Sequence, residues 1–338
     1  MTKDEQENRG NWSSIRSAWS CLFGDRASAS PSIPADGKSA PLPYRIAMMV
    51  GLPRSGTTFL QIVLAAHPEI ATARETHLFD RYLGPMFRSF GREEADLMSA
   101  DGLRHHLGHA ELIAHFRAMA LSVLSSIHVK HPGASVVLEK TPGHLGFISL
   151  IRDCLPEAKF IHVVRDPRGF GASMKAASKE AWGSWARRDM RDIGQWWARM
   201  MATANAAAQT LGDGYRQIRY EDLFVDGAAI VNDLYRWLGL SAIADLPNDL
   251  RQRFPISAMA ALSGEPTDPR VEARERFFRR GDPQAWREEL SGSEIEAIEQ
   301  SCAETMIALG YVPQNRTTRL PDADSPRQAK QPPPANPP

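Results

Sequence analysis

Apolar runs of strand length recur along the chain, and stretches of helical period separate them. Arg45–Val50 (RIAMMV) reads as a short buried strand, closed by Gly51-Leu52-Pro53 and followed by a helical run from Thr57 to Ala66. Val136–Leu138 and Phe160–Val164 are two more such runs, and Gln217–Arg219 is a weaker one. Helical periods cover about 110–127, 145–154, 168–177, 187–211, 227–239 and 293–309. Short buried strands alternating with helices predict an α/β fold, a parallel sheet flanked by helices on both faces. The segment of about 75–135 is long and mostly helical, and is read as an insertion on the same domain. No internal repeat is visible.

The two ends read differently. Trp12, Ile15, Trp19 and Leu22 recur at spacings of three and four, an amphipathic helical pattern within residues 11–23. Gly24–Pro43 is rich in Ser, Ala, Pro and Gly and reads as a linker, and the Pro-rich stretch 315–338 as a disordered tail. The expected organisation is therefore an N-terminal segment and linker over 1–43, one domain over 44–314, and the tail.

Charge and cysteine content narrow the function. The 338 residues carry 40 Lys and Arg against 40 Asp and Glu. That balance argues against nucleic acid as the main partner, which usually demands a basic surplus. Cys21, Cys154 and Cys302 are far apart and odd in number, which suits neither a disulfide framework nor a zinc site and points to a reducing compartment. No apolar run approaching about 20 residues and no signal-peptide core are apparent, so the expected location is cytoplasmic, with no transmembrane segment.

The most informative segment is VGLPRSGTTFLQ, Val50–Gln61. A strand that turns through Gly51 and Pro53 into a helix near Thr57 aims backbone N–H groups and the positive helix end at one spot, an anion site. Gly56 permits close backbone approach, Ser55, Thr57 and Thr58 offer hydroxyls, and Arg54 adds a planar fork of donors. The spacing of Gly51 and Gly56 is P-loop-like, but Thr57 stands where a nucleotide P-loop needs its lysine. Phe160–Val164 also runs into Arg165 rather than into a magnesium-binding acid.

PRSGTT after an apolar strand resembles the 5′-phosphosulfate loop of the sulfotransferases that use 3′-phosphoadenosine 5′-phosphosulfate (PAPS). The longer run GLPRSGTTFLQIVLAAHPEIATARETHLF is similar to the tyrosylprotein sulfotransferases and their bacterial relatives, and shares features with the heparan N-sulfotransferases. The resemblance implies that Arg54, Ser55, Gly56, Thr57 and Thr58 hold the 5′-phosphosulfate. FIHVVRDPRGFGASM resembles the family's 3′-phosphate motif, with Arg165 at the strand end and Ser173 eight residues on. An Arg fork with a hydroxyl suits recognition of that phosphate. RYEDL resembles the segment whose tyrosine, here Tyr220, packs near the adenine. RRGDPQAWREEL resembles the segment that closes over the 3′-phosphate, through Arg279, Arg280 and Gly281.

The same resemblance implies sulfuryl transfer to a hydroxyl or amine. Glu75 is then the general base, and Arg54 and Lys140 stabilise the leaving oxygen, with PAPS as donor and no metal. His77 and His144 are alternative bases, since imidazole has the more suitable unperturbed pKa. A metal reading of His105, His106 and His109 lacks a third ligand pattern, although His105 and His109 are expected to share a helical face. Trp182, Trp185, Trp196 and Trp197 read as core. Small-molecule, carbohydrate and peptide acceptors stay open, with the pocket expected from 75–135 and about 176–200. A homodimer is a family-level expectation. The competing functions are a P-loop-type nucleotide kinase or phosphotransferase and an inactive nucleotide-binding module.

Overall fold

The computed structural model describes residues 41–95, 102–255 and 281–314. The Trp12–Leu22 segment, both termini, Arg279 and Arg280 lie outside the described residues. Five strands, β1 (Arg45–Gly51), β2 (Ile70–Thr72), β3 (Val136–Lys140), β4 (Lys159–Val164) and β5 (Tyr215–Arg219), form one sheet in the order β2-β3-β1-β4-β5. Every pairing is parallel. The short β2 was not expected from the sequence, because three residues are too few to show a period.

Alternation along β1 explains the layers. Ile46, Met48 and Val50 join one apolar cluster, and Ala47 and Met49 join the other. Each face is covered by helices, as a parallel sheet requires. On the Ala47 side lie α1 (Thr57–Leu64) and, further along the chain, α7 (Gly227–Trp237). On the Ile46 side lie α3 (His109–His128), α4 (Ile148–Cys154), α5 (Pro167–Ala177), α6 (Met190–Leu211) and α9 (Gly292–Ala308). Between these fall α2 (Gly84–Ala95) and the four-residue α8 (Trp286–Glu289).

By length and composition alone, α3 is apolar enough to cross a bilayer. Glu111 and Arg117 interrupt it, so it is not an uninterrupted apolar run. Its Leu112, Phe116, Ala120, Leu124 and Ile127 are buried, at the spacing of one helix face.

Register places the site. Met49 pairs with Lys140 of β3, and Gly51 pairs with Val163 of β4. The chain leaves β1 between the carboxyl ends of β3 and β4, the crevice where open parallel sheets bind ligands. Lys140 and Arg165 therefore flank the loop that follows β1.

Candidate active site

The loop after β1 is held by its own backbone. Ser55 donates twice to the Leu52 carbonyl, from N at 3.2 Å and from Oγ at 2.7 Å. Ser55 is thus turned inward, 2% exposed, and shapes the loop rather than offering its hydroxyl. Arg54 has φ 71°, a left-handed backbone that costs a non-glycine residue on the order of 1 kcal/mol or more. Gly56 has φ 95° and no room for a side chain, since a Cβ would stand 2.1 Å from the Tyr220 ring. No side chain caps α1 at Gly56. The first amides of α1 precede its hydrogen-bond ladder and carry its positive end.

The second wall starts where β4 ends. Asp166 caps α5, accepting from Arg168 N at 2.9 Å, and grips the Arg168 guanidinium at 2.7 Å. The turn ion pair is therefore Asp166–Arg168, which leaves Arg165 to face the cavity. The Arg165 guanidinium donates to the Arg54 carbonyl at 3.1 Å and lies 4.7 Å from the Tyr220 ring centre. Trp197 donates to the Arg165 carbonyl at 2.9 Å, and Arg165 Nε is buried without a hydrogen-bond partner among the described residues. From α5, Ser173 Oγ accepts from Arg54 Nε at 3.1 Å. Tyr220, 3% exposed, forms the floor beneath Gly56, and its hydroxyl donates to the Gly281 carbonyl at 3.0 Å.

The third wall carries the acid–base groups. Lys140 Nζ lies 2.5 Å from Glu75 Oε1 and donates to Thr58 Oγ1 at 3.2 Å. His77 Nε2 lies 3.4 Å from Glu75 Oε2, and its Nδ1 lies 3.0 Å from Asp80 Oδ2. Behind them Glu139 is buried. Burial pushes its carboxyl up, but the adjacent His144 and the hydroxyls of Thr141 and Thr76 outweigh this, and it sits below its ordinary value. Thr141 Oγ1 is 2.6 Å and Thr76 Oγ1 is 2.8 Å from Glu139 Oε1.

These walls enclose a cavity of about 400 Å³ that Arg54, Thr57, Thr58, Glu75, Arg165, Ser173, Tyr220 and Gly281 all line. The structure removes His144 as a candidate base. It is fully buried, Phe79 N–H donates to its Nε2 at 3.1 Å, and its Nδ1 lies 3.1 Å from Glu139. Both ring nitrogens are thereby engaged. His105 closes a 3-10 turn while His109 opens α3, so the two do not share a helical face.

Among the described residues of the segment 75–135, only Glu75, His77, Asp80 and Arg81 reach the cavity. Trp197 is core as expected, but Trp185 lines the cavity and is 42% exposed. Asp80 and Glu289 also line it and were not singled out from sequence, and Trp286, the tryptophan of the RRGDPQAWREEL resemblance, lines it too. Spacing from His77 could have found Asp80. Nothing in the local pattern points to Glu289.

The model described as "Sulfotransferase family" matches residues 47–245. Protein-tyrosine sulfotransferase 1 of Danio rerio is 29% identical over 193 residues, covering 56% of this chain and 52% of that protein. Nodulation protein NoeE of Sinorhizobium fredii is 29% identical over 150 residues, 43% of this chain and 33% of that protein. Carbohydrate sulfotransferase 5 of Mus musculus is 25% identical over 190 residues, 48% of this chain and 44% of that protein. The chain thus spans about half the length, or less, of these curated relatives.

Proposed function

The chain belongs to the sulfotransferase family, and from that premise we propose that it moves a sulfuryl group from PAPS to a hydroxyl or amine of an acceptor. The observation that carries this reading is the hydrogen bond from Arg54 to Ser173, which joins the phosphate loop and the α5 wall over one cavity. A donor with an anion at each end needs two such cationic stations.

The residues fit the donor. Arg54, the uncapped start of α1 and the Thr57 and Thr58 hydroxyls would hold the 5′-phosphosulfate, with Ser55 and Gly56 shaping the loop. Arg165, whose Nε has no partner among the described residues, and Ser173 would hold the 3′-phosphate. Arg279 and Arg280, which immediately precede Gly281, join them by family resemblance. Tyr220 sets the height of the floor under both stations. When bound, PAPS supplies a sulfur open to in-line attack, with a phosphate as leaving group. Glu75 takes the acceptor's proton, and Lys140 and Arg54 offset charge on the leaving oxygen.

The relatives' names include protein tyrosine and carbohydrate as targets, both of which present hydroxyls. Trp185, half-exposed on the cavity wall, offers an apolar face to either. A cytoplasmic setting is part of the proposal, supported by the unpaired thiols of Cys154 and Cys302. A kinase reading finds little support. Asp166, the acid after β4, is committed to Arg168, and Glu139, at the end of β3, is committed to its own hydrogen bonds.

Calorimetric titration with PAP, the 3′,5′-bisphosphate product, against 5′-AMP and Mg-ATP tests the reading. PAP should bind tightest, and Arg165→Ala should remove that preference. Preference for Mg-ATP, or indifference to the 3′-phosphate, overturns it.

A further inference from the structure

Beside Glu75 stands a pair of side chains that the donor site does not use. Asp80 Oδ2 lies 3.0 Å from His77 Nδ1, and His77 Nε2 lies 3.4 Å from Glu75 Oε2. We propose that His77, held by Asp80, is a proton relay that empties Glu75 after it has taken the acceptor's proton. This rests on the reading of Glu75 as general base.

Three observations show a built arrangement. His77 has φ 52°, a left-handed backbone that a non-glycine residue keeps only when its surroundings impose it. Gly143 leaves the space that the Asp80 carboxylate occupies, since a Cβ there would stand 2.5 Å from Asp80 Oδ2. Asp80 Oδ1 is buried without a hydrogen-bond partner among the described residues, 3.7 Å from His144 Nε2, so the carboxylate is directed at the imidazole through Oδ2. Among the described residues, the other charged groups beside this relay are Lys140, on Glu75 Oε1, and Arg81, beside Asp80 on the cavity wall.

The proton count closes. With Nδ1–H donated to Asp80, His77 Nε2 presents a lone pair to a carboxylate oxygen, and the 3.4 Å gap suits two acceptors awaiting one proton. As the acceptor oxygen bonds to sulfur, its proton passes to Glu75, and the electron pair of the broken sulfur–oxygen bond stays on the departing phosphate. The proton then moves from Glu75 to Nε2, where Asp80 stabilises the imidazolium, and leaves to solvent from a side chain 25% exposed. Glu75 returns as carboxylate to Lys140.

The test is nuclear magnetic resonance on the 15N-histidine-labelled full chain. The His77 ring should carry its neutral proton on Nδ1. Asp80→Asn and Gly143→Ala, which remove or displace the carboxylate on Nδ1, should each weaken that tautomer preference. An Nε2–H tautomer, or a ring indifferent to Asp80→Asn, overturns the relay. With PAPS and p-cresol, a phenol that keeps its proton at neutral pH, as the probe pair, His77→Ala should lower kcat by about tenfold or more, leave KM for PAPS unchanged, and regain rate with added imidazole. An unchanged kcat, or a loss that imidazole does not restore, also overturns it. PAP titration of the same samples separates the two readings. Normal PAP binding with an indifferent ring sinks the relay alone, whereas loss of discrimination by the 3′-phosphate sinks the donor reading and the relay with it.

Discussion

At the scale of single residues, the cavity depends on a few atoms without slack. Glu75 is bound by Lys140 on one oxygen and faces His77 with the other. Glu75→Gln keeps an oxygen for Lys140 but cannot take a proton. Turnover should fall by at least about a hundredfold, while calorimetry finds PAP affinity close to wild type. Wild-type rates in that variant would remove Glu75 as the base. Gly56→Ala attacks the same cavity through packing, because the new Cβ meets the Tyr220 ring and the backbone is left-handed. It should cost about 1–3 kcal/mol of stability by denaturant unfolding and weaken PAP binding. Arg54 was legible from its place in PRSGTT, but its bond to Ser173 was not, since 119 positions separate them. Sequence also credits the Ser55 hydroxyl with a ligand role, whereas in the structure that hydroxyl donates to the Leu52 carbonyl.

At the scale of elements, α5 is fixed at its start by an ion cluster. Arg168 is 5% exposed and pairs with Asp166 at 2.7 Å and Glu299 of α9 at 2.9 Å, and it also donates to the Val312 carbonyl. Burial pushes the guanidinium pKa down, but bonding to Asp166 and the charges of Asp166 and Glu299 outweigh it and raise it. Arg168→Ala leaves two buried carboxylates without their cation. The expected loss is about 3–5 kcal/mol, read from the urea midpoint at neutral pH. A loss under about 1 kcal/mol, the scale of an exposed pair, would show that the cluster does not anchor the helix. From sequence this segment reads as a strand-end arginine leading into a helix, and its Asp166-Pro167 start is legible as a cap. Glu299, 131 positions away, was not legible.

At the scale of the whole molecule, the sheet interior sets acid sensitivity. His162 of β4 is fully buried, with its Nδ1 2.6 Å from the Tyr215 hydroxyl. Burial depresses its pKa to about 4. The unfolded chain therefore binds this proton near pH 6.5 and the folded chain only near 4. The contribution is complete above about pH 6.5 and is lost as pH falls between those values, on the order of 3 kcal/mol in full. Glu139, held below its ordinary value, adds a further loss at lower pH, as its carboxylate protonates. Urea midpoints should be flat above pH 7 and fall between pH 6.5 and 5. His162→Gln should flatten that slope, and an unchanged slope would place the sensitivity elsewhere.

What the sequence by itself determined is the local syntax. Four of the five strands, the order of helices, the anion loop and the Arg165-to-Ser173 spacing are each written within a dozen residues or so, where backbone propensity and side-chain period act directly. Only the tertiary structure decided the rest. The strand order put β3 and β4 on either side of β1 and thereby brought Lys140, Arg165 and Arg54 to one crevice. It set Asp80 against His77 through the space at Gly143, withdrew His144 into the core, and turned Trp185 to the cavity. These outcomes depend on which surfaces meet across long stretches of chain, and close packing between distant segments leaves no periodic trace in either one.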